Sequence, residues 1–517
     1  MESCEICGEL HPWRGTVVER CATSAKESLP ELPPEMWAEI FNHLPAFPLL
    51  KMRQVCRRWR DIVDHSLALV SKLRVTFFDV HNPIDGSFEP KHLPRVPNAY
   101  LVSFVTEVGP WWASFGEGLT TLEFGSGSEI KSSVFLDILR HTPNLRVLDL
   151  PLVEFIDDFS TLPDFRLDKL EELRAHYIDV PEMFDVYRVL CGCGLKSLTV
   201  MWPDYHDCRS VEPLEAARAA HFVRGFQTTL AELHINGSDE LLTEMVTFDR
   251  LKLRKLRLTY EELSNGWLLV NLCRKQPLLE YLAVDEGFKF NQESVVMLNQ
   301  IGHLLPKLTY LSIKVAPFLD LTFLFNFANL HTLELYGDHE NFSLVQFAFS
   351  GNDNPNLNTL HLGKIHFQKC VFQQFLNKLP NIRTISLRNC KFNAQSDLFE
   401  ALVSLKHLNK LTLDIQETGC SSPATPLATL KHLRIRSCEM SRKLFASFLA
   451  SCPHLRELWL NSRQAVHVEE VLAAISLQLL PQLAVLTLLT RPMTKEAKYY
   501  VRYVCRALEK VEIGLEF

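Results

Sequence analysis

Residues 357–362 read Leu-Asn-Thr-Leu-His-Leu, and the spacing of these leucines decides how the chain folds. The pattern is an apolar residue, two variable residues, a second apolar residue, one variable residue and a third apolar residue. It recurs 16 times between residues 119 and 513, a register too long to be chance. The copies begin at Leu119, Leu145, Leu170, Leu195, Leu230, Leu253, Leu279, Leu308, Leu330, Leu357, Ile382, Leu408, Leu430, Leu455, Leu483 and Leu508.

All but one of the steps between copies span 22 to 29 residues, which with this motif is the signature of leucine-rich repeats. The segments between copies have helical spacing, as in 371–379, and Pro380 then ends the helix. A strand and a helix cannot bury their apolar faces alone, so stacked repeats complete the core. We predict an α/β leucine-rich-repeat solenoid, with a curved parallel sheet inside and helices outside.

Two copies are followed by a cysteine, Cys390 and Cys438, at the position where leucine-rich repeats hold Asn or Cys. We predict that both side chains turn inward and are structural. The one long step, from Leu195 to Leu230, indicates an insertion.

Residues 29–70 break from the repeat and predict a small unit of three helices. Met36, Ile40 and Leu44 share one helical face, and Pro45 ends that helix. A unit of roughly 40 residues has little core of its own. Because it carries more apolar residues than it can bury, we expect some of them to face another protein.

This segment resembles an F-box, whose pattern is Leu-Pro, an amphipathic helix, and then Val-Cys-Arg-x-Trp. One departure is Pro48, where the family often has an acidic residue. The resemblance implies docking on a Skp-type adaptor, and through it on a cullin and a RING subunit. The residues that it assigns to adaptor binding are Leu32, Pro33, Ile40, Phe41, Leu44, Leu49, Val55, Cys56 and Trp59. The alternative is that the unit only caps the solenoid, since repeat arrays need caps.

The combination is similar to the F-box/leucine-rich-repeat family, whose members are substrate receptors of SCF-type ubiquitin ligases. The resemblance implies a non-catalytic subunit whose repeats bind the protein to be ubiquitinated. The alternative is a scaffold that uses the same parts without degradation.

The resulting domain prediction has four parts. Residues 1–28 are an N-terminal tail, 29–70 the F-box, 71–118 a linker with degenerate capping repeats, and 119–517 the leucine-rich repeats. Residue types that bind zinc occur in the tail, at Cys4, Cys7, His11 and Cys21. A second close pair of ligands is missing, so the alternatives are a zinc knuckle and a tail with free thiols.

In each copy, the third and fifth positions alternate with the apolar ones and should therefore point to the concave face. Exposed aromatic residues and arginine are typical interface anchors. We expect the target to bind between about residues 279 and 460, with ordinary exposed residues as the alternative. The predicted contacts are Tyr281, Tyr310, Glu334, His361, Arg434 and Trp459.

Composition, charge and the absence of certain motifs disfavour several classes of function. The net charge is −7 and the basic residues are dispersed, which disfavours nucleic acid as the main partner. No apolar run is long enough for a membrane span, and the first residues lack the apolar core of a signal peptide. The 14 scattered cysteines fit reduced thiols, which predicts a cytoplasmic or nuclear protein. We find no catalytic motif, and therefore expect no enzyme and no cofactor apart from zinc in the tail.

Overall fold

The computed structural model describes most of the chain in separate ranges. These ranges are 32–90, 93, 95–159, 162–176, 183–192, 194–201, 213–259, 265–285, 292–314, 318–337, 343–348, 356–367, 371–392, 398–414, 425–436, 440–461, 465–490 and 495–515. The candidate zinc ligands Cys4, Cys7, His11 and Cys21, and the structural Cys438, lie outside them. The chain forms two compact units, 1–204 and 205–517, so that the boundary falls inside the long step after Leu195.

The first unit begins with helices and continues with strands. Its helices are α1 (Pro34–Asn42), α2 (Ala46–Val55), α3 (Arg57–His65), α4 (Leu67–Val70), α5 (Trp111–Gly116), α6 (Ser132–Arg140) and α7 (Met183–Leu190). Its strands are β1 (Arg74–Ile84), β2 (Asn98–Val105), β3 (Thr121–Phe124), β4 (Ser128–Ile130), β5 (Val147–Leu150), β6 (Val153–Phe155), β7 (Glu172–Ala175) and β8 (Ser197–Val200).

Helices α1 to α4 form the helical unit that was predicted, with α4 as an addition. Pro34 occupies the first turn of α1, where its missing N–H leaves no bond unmade. Cys56 has extended backbone between α2 and α3, and its Sγ accepts the backbone N–H of Trp59 at 3.5 Å. The buried core joins residues of all four helices to the following segment, and consists of Phe41, Leu49, Val63, Leu69, Leu73 and Val96.

The strands of the first unit are parallel, in the order β1-β2-β3-β5-β7-β8. The segment 71–118, which was predicted as a linker with degenerate capping repeats, contains β1 and β2, and β2 pairs directly with β3, the first strand of the regular repeat. In β3, Leu122 and Phe124 are buried and alternate with half-buried residues, as the repeat pattern requires.

The second unit carries the remaining repeats. Its helices are α8 (Pro213–Gly225), α9 (Asp239–Val246), α10 (Gly266–Lys275), α11 (Gln292–Leu304), α12 (Val371–Asn377), α13 (Leu398–Val403), α14 (Arg442–Ala450), α15 (Ala465–Ser476) and α16 (Lys495–Val504), with a 3-10 helix at Leu321–Asn326. Its repeat strands are β9 (Glu232–Asn236), β10 (Lys255–Thr259), β11 (Tyr281–Asp285), β12 (Tyr310–Lys314), β14 (Thr332–Tyr336), β16 (Thr359–Gly363), β18 (Thr384–Arg388), β20 (Lys410–Asp414), β21 (His432–Arg436), β22 (Glu457–Asn461), β23 (Val485–Thr490) and β24 (Lys510–Leu515). Four further strands form a separate small parallel sheet, β13 (Phe318–Asp320), β15 (Ser343–Ala348), β17 (Ile365–Phe367) and β19 (Lys391–Phe392).

The twelve repeat strands pair in chain order and in parallel, each with the leucines of its motif in register. Leu333, Leu360 and Ile385 are consecutive partners across three strands, and all are fully buried. This confirms the leucine-rich-repeat fold. Cys390 is also fully buried, its Sγ donates to the Leu362 carbonyl at 3.4 Å, and burial raises its pKa to about 12. The structure thus places this thiol as predicted.

Gly302 marks a close approach between α11 and the 3-10 helix. A Cβ added there would lie 2.7 Å from Asn326 Cβ and 3.0 Å from the Asn326 carbonyl carbon. We expect Gly302→Ala to lower the free energy of unfolding by about 1–3 kcal/mol through overpacking, although alanine favours helices. Gly225→Ala is the matched control, because no atom lies within 4 Å of its added Cβ. Denaturant unfolding of both variants checks this, and equal midpoints would contradict it.

Candidate docking and target-binding surfaces

Helices α1 and α2 of the helical unit carry five exposed large apolar side chains. On α1, Met36 and Ile40 are one turn apart and 52% and 43% exposed. On α2, Phe47 and Leu50 are likewise neighbours, with 61% and 37% exposed. Val55, at the end of α2, is also exposed. We call these five residues the apolar docking surface.

The nine residues that were predicted to contact an adaptor differ in how far they are exposed. Phe41 and Leu49 are buried in the core of the helical unit and present no surface to a partner. This corrects the sequence interpretation, because a buried side chain can support docking only by holding the helices together. Leu44 and Trp59 are half-buried and pack against the same core. The Trp59 ring lies 5.2 Å from Phe41, centroid to centroid.

The other five predicted residues are accessible to different degrees. Pro33, Ile40, Val55 and Cys56 are exposed, and Leu32 is half-buried. The Leu32 carbonyl accepts a hydrogen bond from Arg58 Nη2 at 2.9 Å, which ties the entry of α1 to α3. Sequence reasoning did not assign Met36, Phe47 and Leu50 to the site. Helical spacing could have indicated them, because Met36 lies four residues before Ile40 in α1, and Phe47 lies three residues before Leu50 in α2.

In the second unit, the repeat strands have one side that lies away from the buried leucines. Most residues on this side are at least partly exposed, but Ala283, Ser312, Glu334 and Ser386 are buried there. We call this side the open face, and it consists of the first, third and fifth residues of each five-residue strand, such as His432, Arg434 and Arg436 in β21. The first and third residues were predicted to lie there. The fifth residue was not, because the pattern was followed only to its last apolar position.

One part of the open face is a cluster of tyrosines around a carboxylate. The rings of Tyr281 and Tyr310 are stacked, 4.1 Å apart at 9°. The hydroxyls of Tyr310 and Tyr336 donate to the two carboxylate oxygens of Glu334, which is only 7% exposed. Burial and the Glu334 carboxylate raise the pKa of Tyr310. The polar groups of Tyr310 and Glu334, both predicted as target contacts, therefore satisfy each other.

Further along the same face, the strands β16 to β23 line an open cleft of about 370 Å³. Four cations converge on it, one from β18, one from β20 and two from β21. We call the following residues the basic cleft: His361, Ser386, Arg388, Lys410, Arg434, Arg436 and Trp459. His361, Arg434 and Trp459 were predicted as target contacts, and the structure brings these three together. The other four residues of the cleft were missed.

Trp459 organises the two arginines of β21. The Arg434 Cζ lies 4.0 Å from the centre of the indole ring and the Arg436 Cζ lies 5.6 Å from it. Cation–π contact holds a guanidinium in place while leaving its N–H groups free to donate. Burial, together with Arg436 and Arg388, lowers the pKa of Arg434.

Within the described ranges, Asp414 lies near the cations of the cleft: burial raises the pKa of Asp414, and the charges of Arg436 and Arg388 oppose this shift. None of Arg388, Lys410, Arg434 and Arg436 forms an ion pair there, and the nearby Glu457 instead pairs with His432 at 2.9 Å. Three buried polar atoms of the cleft also have no hydrogen-bond partner: His361 Nδ1, Ser386 Oγ and Arg434 Nε. The pKa of His361 is lowered, chiefly by burial. The Glu334 carboxylate opposes this shift, and the charges of Arg388 and Lys410 add to it. Four cations and one carboxylate, that of Glu457, therefore line the cleft.

The described part of the chain contains no group of three or more His, Cys, Asp or Glu residues that could hold a metal ion. None of its helices combines the length and the apolarity needed to cross a membrane.

Comparison with known families identifies the helical unit. Residues 29–71 match the family model of the F-box domain. The chain therefore combines an F-box domain with leucine-rich repeats. No curated protein matches the chain.

Solved structures with similar folds share little sequence with this chain. A leucine-rich-repeat protein of Leptospira interrogans is 14% identical, with a TM-score of 0.34 over 82% of this chain and 90% of its own. The Rad7 and Elc1 complex of yeast is 16% identical, with a TM-score of 0.31 over 88% of each chain. An internalin of Listeria monocytogenes is 15% identical, with a TM-score of 0.33 over 61% and 73%.

Proposed function

Because an F-box domain is joined here to leucine-rich repeats, we propose that the chain is the substrate-recognition subunit of an SCF-type ubiquitin ligase. The observation that carries this proposal is the match of residues 29–71 to the F-box model. The apolar docking surface supports it, because these exposed side chains would be removed from water by a partner. Aromatic residues and methionine are enriched at protein interfaces, which fits Phe47 and Met36.

The proposed mechanism needs no chemistry from this chain. The F-box docks on a Skp-type adaptor, which connects it to a cullin and a RING subunit. The repeats hold the target protein, so that its lysines stay close to a ubiquitin-charged enzyme. The contribution to rate is then effective concentration and orientation. Such a ligase subunit would work in the cytoplasm or the nucleus.

The apolar docking surface gives a direct test of adaptor binding. We expect the double variant Met36→Glu, Ile40→Glu to bind a purified Skp adaptor at least roughly tenfold more weakly, because it places charges in the core of the interface. Both residues are exposed, so the unfolding temperature should stay unchanged. Titration calorimetry on the full chain measures the affinity.

A charge-matched control is available on α12. Gln374→Glu, Asn377→Glu adds the same charge at exposed positions of a repeat helix and should bind the adaptor normally. Equal affinity of both double variants would refute the assignment of the α1 face.

The alternative is a scaffold that binds the adaptor without serving a ligase. Both functions predict adaptor binding, but only the ligase subunit predicts that cullin and RING subunits join the same complex and that ubiquitin is transferred. Reconstitution with these subunits, followed by an in vitro ubiquitination assay, separates the two.

A further inference from the structure

In the second unit, the residues that lie directly before the repeat strands form one edge of the sheet. We call the following residues of this edge, and of the loops that lead to it, the basic edge: His331, Arg383, Lys406, His407, Lys431, His454 and Arg456. We infer that the basic edge binds an extended acidic segment of a partner protein. The inference goes beyond the proposed function, because this edge belongs neither to the apolar docking surface nor to the open face.

Repeat stacking brings these residues together, although they are dispersed in the sequence. Backbone hydrogen bonds join the residues that precede β18, β20, β21 and β22 into a ladder. Asn409 N donates to the Arg383 carbonyl at 2.8 Å, and Lys431 N donates to the Asn409 carbonyl at 2.9 Å. Arg456 N then donates to the Lys431 carbonyl at 2.8 Å. Because adjacent strands are about 4.8 Å apart, the distance from His331 to Arg456 is on the order of 24 Å.

The basic edge is open to a ligand. Arg383, Lys406 and Lys431 are exposed, and so is Arg456. Two grooves, of about 380 and 410 Å³, lie along the edge, and His407 lines both of them. An extended segment in these grooves would therefore contact basic side chains from several repeats.

At the same position of other repeats, basic residues are neutralised by carboxylates. Arg254 and Glu280 directly precede neighbouring strands, and Arg254 Nη2 lies 2.9 Å from Glu280 Oε2. Glu171 lies between Arg146 and Lys196 on the same ladder, and its Oε1 is 3.6 and 3.2 Å from their nitrogens. These repeats show that the fold itself can pair charges along this edge.

The basic edge lacks such pairs. Within the described ranges, none of its lysines and arginines forms an ion pair, and the loop residues that precede β18, β20, β21 and β22 include no Asp or Glu. Lys431 and Arg456 occupy equivalent positions of adjacent repeats, where like charges repel each other. An acidic ligand would supply the carboxylates that other repeats provide from within the chain.

The spacing of the charges favours a polypeptide over a nucleic acid. With one lysine or arginine per repeat, cations recur about every 4.8 Å along four repeats. Acidic side chains of an extended polypeptide recur about every 3.3 Å, or about every 6.6 Å when every second residue is acidic. Duplex DNA carries one charge per ~1.7 Å, which is much denser.

A single-stranded nucleic acid is disfavoured for a different reason. Proteins that bind single strands usually stack the bases on aromatic side chains. The described loop residues of the basic edge include no exposed Phe, Tyr or Trp, since Phe327 is buried. The edge therefore offers charge without a surface for stacking.

The test uses the purified full chain and fluorescent peptides of about eight residues, which is long enough to cover the basic edge. The acidic peptide alternates Glu with Ser, and the neutral peptide alternates Gln with Ser. Fluorescence anisotropy should show at least about tenfold tighter binding of the acidic peptide. Its affinity should fall as salt is added, because exposed charges are screened.

Variants locate the binding to this edge. We expect Arg383→Gln, Lys431→Gln to weaken binding of the acidic peptide about tenfold or more, whereas Arg383→Lys, Lys431→Arg keeps both charges and should bind normally. The matched control is Arg146→Gln, Lys196→Gln. It removes the same charges at equivalent positions, where Glu171 already neutralises them, and should leave binding unchanged. Circular dichroism shows whether each variant is folded.

A further variant separates the basic edge from the open face. Arg434→Gln, Arg436→Gln removes two charges from the basic cleft and should leave binding of the acidic peptide unchanged. Three outcomes would overturn the inference. These are equal affinity for the acidic and neutral peptides, a loss in the cleft or control variants as large as in the edge variant, and tighter binding of a single-stranded DNA of about eight nucleotides than of the acidic peptide.

Discussion

Phe41→Ala is expected to unfold the helical unit and to abolish adaptor binding. Phe41 is 1% exposed and lies against both Trp37 and Trp59, with ring centroids 5.6 and 5.2 Å away. Removing a buried phenylalanine typically costs about 3–5 kcal/mol. The whole stability of a domain is only about 5–15 kcal/mol, and small units lie at the lower end. Hydrogen exchange over residues 34–70 would show the loss of protection.

A matched control separates this effect from the loss of any aromatic ring. Trp267→Ala removes a larger ring from the start of α10, but Trp267 is 40% exposed and lies outside the F-box core. We expect a change within about 0.5 kcal/mol for a surface substitution. Retained protection over 34–70 in Phe41→Ala would show that other core residues suffice. Comparison with Met36→Glu, Ile40→Glu then distinguishes loss of folding from loss of the contact surface.

The second large effect is expected in the second unit. Leu360 is fully buried in β16, between Leu333 of β14 and Ile385 of β18. Leu360→Ala should lower the free energy of unfolding by about 2–5 kcal/mol, because a leucine side chain is replaced partly by a cavity. Each repeat contacts only its neighbours, so the loss should be greatest in the strands beside β16. Strand β16 itself carries His361 of the basic cleft, and the neighbouring β18 carries Ser386.

Leu278→Ala is the control for this prediction. Leu278 is 38% exposed and precedes the strand motif of its repeat, so its removal should change stability little. Thermal and denaturant unfolding of both variants gives the comparison. A Leu360→Ala midpoint within error of Leu278→Ala would mean that the repeat can collapse around the missing side chain.

The strands of the repeat were predictable because leucine spacing reports directly on burial. Every apolar position of a motif such as 357–362 faces the same core, and a period of two defines a strand with no further information. The F-box domain was predictable in extent for a related reason, since its prolines and helical spacing mark its elements.

The sequence was less informative about which apolar residues are inside the helical unit. Helix α1 is apolar around much of its circumference, so periodicity cannot show which stripe faces the core. Met36 and Ile40 are exposed, whereas Phe41 on the adjacent stripe is buried. The packing of α3 against α1 decides this, through the contact of Trp59 with Trp37 at 4.9 Å.

The sequence pattern was also insufficient to predict the contacts between residues of the open face. Its residues could be located one by one, but their partners lie a whole repeat away in sequence. Glu334 accepts from Tyr310, which is 24 residues earlier, and Arg434 meets Trp459 of the next repeat. Which exposed residues neutralise one another, and which are left without partners, depends on this stacking and therefore required the structure.

Within each repeat strand, buried residues alternate with open-face residues, and this alternation affects how ligand recognition can change during evolution. Buried leucines and open-face residues share a strand but not an environment, so a substitution at Arg434 or Trp459 need not disturb Leu433 or Leu458 beside it. During evolution, open-face residues can therefore be substituted one strand at a time, which changes the ligand preference, while the buried residues change little. These strands are also suitable for engineering new specificity, provided that only open-face positions are changed and the alternating buried positions are kept.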